Sequence, residues 1–270
     1  QIGRGTFGVV RRARWQGADI AVKVVAADTS AAERKRAAGM LLKEAETLGR
    51  VRHPNVVHLL GVCTDYGSPM MLLPLATGTL VDELDAASAS GVPMAVGRKL
   101  QLARDICAGM AALHSRGILH LDLKPANVLI SRAEEALVAD FGLSLQLRTT
   151  LTGASLAASA LATAAGARGT MAYKAPELSR PKRKGGANYA KPCDVYSFAM
   201  LLWELFAGHP PWAGKPEMEI QAAHMDSFYG EEPLRPDLPS APAKALELMV
   251  VSWSQDPAAR PTFEALASEL

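Results

Sequence analysis

The sequence is poor in cysteine, and its three cysteines form no ligand or redox pattern. Cys63, Cys107 and Cys193 are far apart and belong to no C-x-x-C or Cys/His spacing. Zinc sites and disulfide frameworks depend on such spacings, so neither is expected. Reduced thiols favour a cytoplasmic or nuclear setting, and we predict a cytoplasmic location.

Long apolar runs and a strong net charge are also missing. The longest apolar run, FAMLLW, is much shorter than the ~20 residues of a membrane-spanning helix. A net charge of +2 gives no reason to expect binding to nucleic acid or to a membrane surface. The 270 residues suffice for a full core, in one large domain or in two lobes. Because the chain opens inside a motif, we expect a domain of a longer protein, whose flanking segments, membrane tethering and oligomeric state stay open.

The N-terminal part has the pattern of a small antiparallel sheet. The run QIGRGTFGVVRRARWQGADIAVKVV begins with a glycine-rich stretch and continues as strand-like segments that a turn at Gln16 and Gly17 separates. The runs NVVHLLGVC and PMMLLPL add two further predicted strands. These patterns predict a mostly β lobe over residues 1–75.

One helix is predicted inside this lobe, and it carries an acidic residue on its apolar face. Ser30 and Glu33 form a capping box at the start of SAAERKRAAGMLLKEAETLGRV. The stripe that follows at helical spacing consists of Leu41, Glu44, Ala45 and Leu48. An ionised carboxylate that faces a core needs a cation, so Glu44 predicts a basic partner from elsewhere in the fold.

The rest of the chain is mainly helical in pattern. RKLQLARDICAGMAALHSRG has a 3.6-residue period and ends at Gly117. Further helical runs follow residue 190: CDVYSFAMLLWELFAG, AKALELMVVSWSQ and TFEALASEL. The expected fold class is α+β, with a small antiparallel β-sheet lobe plus one helix and a larger, mainly helical lobe over residues 76–270.

The stretch GRGTFG at residues 3–8 matches G-x-G-x-x-G, a motif found in two kinds of nucleotide-binding site. In a dinucleotide fold the glycines open a helix, and an acidic residue follows about 20 residues later. Here the glycines lead into the strand-like VVRRARW and then to Lys23 in IAVKV. This context argues against a dinucleotide-binding oxidoreductase and resembles the glycine loop and strand lysine of a protein kinase.

The resemblance to protein kinases covers essentially the whole chain. HLDLKPAN resembles the catalytic loop H-R-D-L-K-P-x-N, and DFG with APE brackets a stretch, 140–177, that resembles an activation segment. DVYSFAMLLWEL and DPAARPTF resemble the tyrosine-kinase-like branch. The resemblance implies a single catalytic domain over residues 1–270, with the bilobal kinase fold, that uses ATP and Mg²⁺ to phosphorylate protein substrates.

The resemblance also implies a role for each matching residue. Asp122 would accept the proton of the substrate hydroxyl, and Lys124 would neutralise charge on the moving phosphoryl group. Mg²⁺ would be bound by Asn127 and Asp140, and Asn127 is counted with the catalytic residues. Lys23, held by Glu44, would bind the α- and β-phosphates. The loop over the phosphates would consist of Gly3, Gly5, Phe7 and Gly8.

A pocket for adenine is implied between the lobes. Its walls would be Val10, Ala21 and Leu129. Leu72 is expected to guard the back of the pocket, and the hinge is expected at Leu73, Pro74 and Leu75. Because Pro74 has no N–H group, the adenine contacts are expected from the Leu73 carbonyl and from the Leu75 amide and carbonyl.

Other matches imply structural roles. Glu177 and Arg260 would form a buried ion pair. An internal spine, anchored by Asp194, would consist of Leu48, Leu59, His120 and Phe141. The histidines without metal-like spacing are interpreted as packing or capping residues: His53, His58 and His114.

Leu121 departs from the kinase pattern, which has arginine at this position. In kinases that carry it, the arginine pairs with a phosphate on the activation segment. Leucine has no charge to pair, so we predict an enzyme that is not regulated through this pocket. Acceptor hydroxyls are nevertheless present at Thr149, Thr150, Thr152, Ser155 and Thr163.

The substrate class is indicated by two residues. Lys124, together with Thr170 in GTMAYKAPE, resembles serine/threonine kinases, so the expected partners are proteins with serine or threonine acceptors. The alternative from another class is a pseudokinase, an ATP-binding interaction module without turnover. A scaffold has no chemical need for the complete set of catalytic residues, which argues against this alternative.

Overall fold

The computed structural model describes residues 1–5, 8–26, 30–65, 68–146, 171–179, 191–226 and 234–270. Phe7, Thr170 and the five acceptor hydroxyls named above lie outside these residues. Among the residues described, no helix combines the length and the apolar character needed to cross a membrane.

Five antiparallel strands form the N-terminal sheet, in the spatial order β1-β2-β3-β5-β4. Their bounds are Gly3–Gly5 (β1), Gly8–Trp15 (β2), Ala18–Val24 (β3), Gly61–Cys63 (β4) and Met70–Pro74 (β5). The predicted turn joins β2 to β3, and Gln16 and Gly17 both have positive φ, 49° and 81°. Two such residues give the tight hairpin whose twist matches that of its strands.

Helix α1, Ala31–Gly49, is the predicted helix of this lobe. The Ser30 hydroxyl accepts a hydrogen bond from the Glu33 N–H (3.3 Å), and the Glu33 carboxylate accepts one from the Ser30 N–H (2.8 Å). These two bonds confirm the capping box and satisfy N–H groups that have no partner within a helix. The predicted stripe is confirmed as well, because its four members are the buried residues of the helix.

The second lobe is mainly helical, and its central helix is buried on every side. The helices are α2 (Leu80–Ser90), α3 (Val96–Ser115), α4 (Pro192–Ala207), α5 (Glu217–Asp226), α6 (Ala243–Ser252) and α7 (Phe263–Glu269). Every residue of α4 from Cys193 to Phe206 is buried, as expected for a helix whose residues are mostly apolar. The predicted α+β fold class is confirmed.

Short strands near the cleft complete this lobe. They are β6 (Gly78–Thr79), β7 (Ile118–Leu119), β8 (Val128–Ile130), β9 (Ala136–Val138) and β10 (Leu145–Gln146). β6, β8 and β9 form one sheet and β7 pairs with β10. The loops that lead into and out of these strands carry the predicted catalytic residues.

The prediction of a strand in NVVHLLGVC is wrong for its first six residues. The Val57 N–H donates to the Val138 carbonyl (3.0 Å), and the Val138 N–H donates to the Asn55 carbonyl (2.9 Å). Helix α3 approaches the same segment closely, since a Cβ atom on Gly109 would lie 2.4 Å from the Asn55 carbonyl oxygen. Residues 55–57 are therefore attached to the C-terminal lobe, and the strand is confined to β4.

Candidate active site

A cavity of about 770 Å³ lies between the two lobes, which is large enough for a nucleotide. Most of the predicted site residues line it: Gly3, Val10, Ala21, Lys23, Glu44, Leu73, Leu75, Asp122, Lys124, Asn127, Leu129 and Asp140. Gly5 and Gly8 pair with each other in the β1–β2 hairpin. The structure therefore brings to one cavity residues that are far apart in the chain, while their individual roles stay predictions.

Gly8 is required by the packing of β2 against β3. A Cβ atom at this position would lie 2.2 Å from the Val24 carbonyl oxygen of β3, a distance that real Cβ atoms do not reach. Any side chain would push β2 and β3 apart at the end of the hairpin. One glycine of the G-x-G-x-x-G motif is therefore required by strand packing, independently of any ligand.

Lys23 is the predicted basic partner of Glu44. The Lys23 Nζ atom lies 2.9 and 2.8 Å from the two Glu44 carboxylate oxygens and 3.2 Å from Asp140 Oδ1. The Lys23 and Glu44 side chains are only 7% and 3% exposed, so this is a buried ion pair. Burial lowers the pKa of Lys23, but Asp140 and Glu44 more than offset this, so its pKa lies above the ordinary value. Lys23 therefore presents a fixed positive charge to the cavity.

Asp122 has one carboxylate oxygen engaged and one without a partner. Its Oδ2 accepts hydrogen bonds from Lys124 Nζ (2.8 Å) and Asn127 Nδ2 (2.8 Å). Within the described part of the chain, the buried Oδ1 has no hydrogen-bond partner. An unpaired buried acceptor is costly, and such atoms call for an explanation. Since Asp122 lines the cavity, this oxygen is placed to accept a hydrogen bond from a bound hydroxyl group.

Asn127 and Asp140 supply oxygen atoms that suit Mg²⁺. The Asn127 amide nitrogen donates to both the backbone and the side chain of Asp122, so the amide oxygen is turned away from Asp122. Asp140 uses Oδ1 for Lys23 and for the Gly142 N–H (3.4 Å). Burial raises the pKa of Asp140, but Lys23 lowers it by a larger amount, so the pKa lies below the ordinary value. An ionised carboxylate and an amide oxygen on one wall match the oxygen preference of this ion.

Asp194 binds the backbone of the loop that carries Asp122. Its carboxylate accepts hydrogen bonds from the backbone N–H groups of His120 (2.9 Å) and Leu121 (2.8 Å), and it contacts His114 Nε2 at 2.8 Å. Asp194 is fully buried. Burial raises its pKa, whereas the hydrogen bond with His114 and other neighbours lower it, and the net pKa is below the ordinary value. The expected anchoring role of Asp194 is confirmed.

Leu121 adopts a backbone conformation that leucine rarely takes. Its φ is 64°, in the left-handed region, which costs an L-residue with a Cβ atom roughly 1–2 kcal/mol. Leucine has no polar side-chain atom that could form a local compensating bond, so the bond to Asp194 holds the backbone in place. The Leu121 side chain is buried, which places an apolar group directly before Asp122.

The other structural expectations are also met. The His120 and Phe141 rings pack edge to face at 5.3 Å, and both residues are buried together with Leu48. Leu59 is partly buried against the same core. Arg260 forms a two-pronged ion pair with Glu177 at 2.6 and 3.0 Å.

The back of the cavity is formed by Leu73, so the prediction for Leu72 is wrong. Leu73 pairs with Ala21 across β3 and β5 and lines the cavity with it. Leu72 pairs with Val22, and paired residues share a face of the sheet. Because successive side chains of a strand point to opposite faces, Leu72 faces away from the cavity.

The backbone of β5 supports the same correction. The Leu72 carbonyl accepts a hydrogen bond from the Leu60 N–H (2.9 Å), on the side of β4. Backbone groups of successive residues alternate between the two neighbouring strands, so the Leu73 carbonyl points to β3. The Leu73 carbonyl is therefore used within the sheet. The first backbone group that can face a ligand is the carbonyl of Pro74, one residue later than predicted. Both Pro74 and Ala76 line the cavity.

Sequence reasoning missed two polar residues at the cavity mouth, Thr79 and Asp82. Asp82 Oδ2 accepts hydrogen bonds from the Thr79 N–H (2.7 Å) and hydroxyl (2.8 Å), and both residues line the cavity. The pattern T-x-x-D at the start of α2 is the signal that could have revealed them, since it spells a capping box.

Comparison with known proteins decides the family. A family model described as "Protein tyrosine and serine/threonine kinase" matches residues 1–270. The chain belongs to the protein kinase family. The match covers the kinase domain. It confirms the resemblance to kinases of the tyrosine-kinase-like branch that the motifs indicate.

Individual relatives cover almost the whole kinase domain. It is 35% identical to the probable serine/threonine-protein kinase drkD of Dictyostelium discoideum over 97% of the chain. It is 32% identical to serine/threonine-protein kinase CTR1 of Arabidopsis thaliana and 32% identical to human mitogen-activated protein kinase kinase kinase 7, again over 97% of the chain. The chain spans only 18%, 30% and 39% of the length of these relatives, respectively.

Proposed function

We propose that this kinase domain transfers the γ-phosphoryl group of Mg·ATP to serine and threonine hydroxyls of protein substrates. The observation that carries the proposal is Asp122 Oδ1, which has no hydrogen-bond partner among the described residues, on a side chain that lines the same cavity as the Lys23–Glu44 ion pair. The names of the relatives, which are serine/threonine-protein kinases, support the acceptor class. A role in signalling and a cytoplasmic location stay predictions.

The nucleotide is oriented by the walls of the cavity. Adenine lies between Val10 and Ala21 on one side and Leu129 on the other. Its hydrogen-bonding edge meets the Pro74 carbonyl and the Ala76 amide. Pro74 suits this position because only its carbonyl is needed, and its missing N–H costs nothing. The hydroxyls of the ribose face Thr79 and Asp82.

Lys23 binds the α- and β-phosphates, and Glu44 and Asp140 hold its ammonium group in place. A cation that is fixed before the substrate arrives requires no reorganisation during the reaction. Mg²⁺, held by Asn127 and Asp140, would neutralise charge on the phosphates. The glycine hairpin at Gly3, Gly5 and Gly8 covers the phosphate end of the cavity.

Asp122 orients the acceptor hydroxyl and takes its proton. The hydroxyl oxygen bonds to the γ-phosphorus as the bond to the β,γ-bridging oxygen breaks, ADP leaves, and the hydroxyl proton passes to Asp122 Oδ1. Lys124, 2.8 Å from Asp122 Oδ2, offsets negative charge beside the moving group.

The test is transfer of radiolabelled γ-phosphate to serine, threonine and tyrosine acceptor peptides, with Asp122→Asn as the comparison. Loss of a general base lowers the rate by roughly 10²–10⁴-fold. Transfer to serine or threonine that collapses in Asp122→Asn supports the proposal. ATP binding without transfer by either form supports the pseudokinase alternative instead.

A further inference from the structure

One side of helix α1 is exposed along its length and takes no part in the chemistry proposed above. The buried stripe of the helix occupies the other side. At about 100° per residue, the point opposite this stripe is Gly39, and four side chains project within about 60° of it. We call this set the outer face; it consists of Lys35, Arg36, Gly39, Leu42 and Lys43, all of them exposed.

The cations of the outer face have no acidic partner in the part of the chain that the structure describes. The three glutamates of α1 are engaged in other pairs: Glu33 with Ser30, Glu44 with Lys23 and Glu46 with Arg50. None of the ion pairs between described residues includes Lys35, Arg36 or Lys43. Lys35 and Lys43 are about 12 Å apart along the helix axis. The outer face therefore presents a row of three positive charges that no carboxylate of the domain neutralises.

Gly39 has no structural reason within the domain. Glycine weakens the interior of a helix, because it loses more conformational freedom on folding than alanine does. A Cβ atom on Gly39 would meet nothing within 4 Å, and the residue does not have the positive φ that favours glycine. The missing side chain leaves the backbone of α1 bare at the centre of the outer face. A second helix can approach closely at this point.

Leu42 gives the outer face one apolar contact. Its side chain is 42% exposed, whereas the neighbouring Leu41 is 1% exposed. A single exposed leucine needs no explanation by itself. Here it lies beside the bare backbone of Gly39 and among the cations, which is the arrangement of an interface with an apolar centre and a charged rim.

The charge and the spacing of the outer face indicate what kind of partner fits. A helix with carboxylates seven or eight residues apart presents them about 11–12 Å apart on one side, which matches the separation of Lys35 and Lys43. A basic partner is repelled. One leucine provides too little apolar area for insertion into a bilayer, which argues against a membrane surface.

We propose that the outer face of α1 is a docking surface for an acidic helical segment of a partner protein. The segment places carboxylates at Lys35, Arg36 and Lys43 and an apolar side chain against Leu42, and it crosses α1 at Gly39. The proposal goes beyond the proposed function and does not depend on it, because docking requires neither ATP nor an acceptor hydroxyl.

The experiment measures the Kd of a synthetic alanine-based helical peptide that carries glutamates seven residues apart and one leucine between them on the same side. Two matched peptides replace the glutamates by glutamine or the leucine by serine. The protein is tested as the wild type and as Lys35→Glu, Lys43→Glu, Leu42→Ser and Gly39→Gln. Vesicles that contain phosphatidylserine and a DNA duplex are tested in parallel as other anionic partners.

Arg11→Glu is the matched control for the lysine variants. Arg11 is exposed and pairs with Val22, next to Lys23, so it projects from the face of the sheet opposite to the one on which Lys23 meets α1. It changes the net charge of the same lobe by the same amount. A second control is Leu238→Ser, which removes an exposed leucine (51%) of the other lobe.

We expect Lys35→Glu, Lys43→Glu and Leu42→Ser each to weaken binding of the acidic peptide by about fivefold or more, and both controls to change it by less than about twofold. The glutamine and serine peptides should bind the wild type correspondingly less well. Gly39→Gln should raise the Tm by about 1–2 °C and yet weaken binding. This opposite response separates loss of a contact from loss of the fold.

Four results overturn the inference. The wild type does not bind the acidic peptide, or the lysine variants bind it as tightly as the wild type does. Arg11→Glu weakens binding as much as Lys43→Glu, which means that only the overall charge of the lobe matters. Vesicles or the DNA duplex bind more tightly than the peptide through the same lysines, which assigns the outer face to a membrane or to nucleic acid.

Discussion

Replacing Glu44 by glutamine tests the buried ion pair that holds Lys23. Glutamine keeps the shape of the side chain and removes its charge. Lys23, whose side chain is 7% exposed, then keeps Asp140, at 3.2 Å, as its one charged partner among the described residues. The ammonium group stays buried, but most of the interaction that compensated for its burial is lost.

The expected loss of folding stability in Glu44→Gln follows from the burial of the pair. Removing one partner of a buried pair costs about 3–5 kcal/mol, because the remaining charge is left uncompensated. Since Asp140 still contacts Lys23, we expect the lower limit, about 3 kcal/mol. For a domain of this size that corresponds to a decrease in Tm of about 5 °C. The KM for ATP should rise as well, because Lys23 is no longer held toward the phosphates.

Thermal unfolding and ATP kinetics of Glu44→Gln provide the measurement, and Glu46→Gln is the control on the same helix. Glu46 pairs with Arg50 one turn away, but its side chain is 64% exposed. Exposed pairs of this kind contribute about 0.3–0.5 kcal/mol, so Tm should change by about 1 °C or less. Equal shifts in the two variants would refute the claim that burial of the Lys23–Glu44 pair makes it essential.

Two further predictions concern Glu204, which is buried in α4 and accepts a hydrogen bond from the Tyr173 hydroxyl (2.6 Å), and the cavity face of β5. Burial raises the pKa of Glu204 to about 7, so the folded state holds this proton more tightly and loses up to about 3 kcal/mol of stability as the pH rises from about 4.5 to about 7. Glu204→Gln, which can still accept the bond from Tyr173, should flatten the dependence of Tm on pH over this interval; an unchanged slope would contradict the assignment. Leu73→Ala should admit ATP analogues with a bulky group at the back of the adenine, and Leu72→Ala should not. Equal use of such an analogue by both variants would argue that the face assignment is wrong.

The sequence was sufficient to predict residues whose chemical type requires a particular partner. Glu44 stood out because a charge on an apolar stripe needs a partner, and that partner is Lys23. The Ser30–Glu33 box and the turn at Gln16 and Gly17 are local, so short-range rules suffice for them. The order of the kinase motifs then led to the cavity residues as a set.

The errors arose where the outcome depends on tertiary pairing. Leu72 and Leu73 are identical in type, and only the pairing of β5 with β3 decides which of them faces the ligand. Asn55 and Val57 have a strand-like pattern, but their backbone groups pair with Val138 in the other lobe. The positive φ of Leu121 could not be read from its type, because Asp194, which is distant in sequence, imposes it.

The attachment of residues 55–57 to the C-terminal lobe places a fixed point of the chain shortly after α1. The last residue of α1, Gly49, is close in sequence to this point, whereas Ser30 at the other end is exposed. At 1.5 Å per residue, Glu44 lies about 7 Å from Gly49 along the helix axis and Ser30 about 28 Å from it. A rotation of α1 by about 10° about Gly49 would move Ser30 by about 5 Å but Glu44 by only about 1 Å, enough to lengthen its contacts with Lys23. A force applied at Ser30 would therefore act with about fourfold leverage on Glu44, the carboxylate that pairs with Lys23.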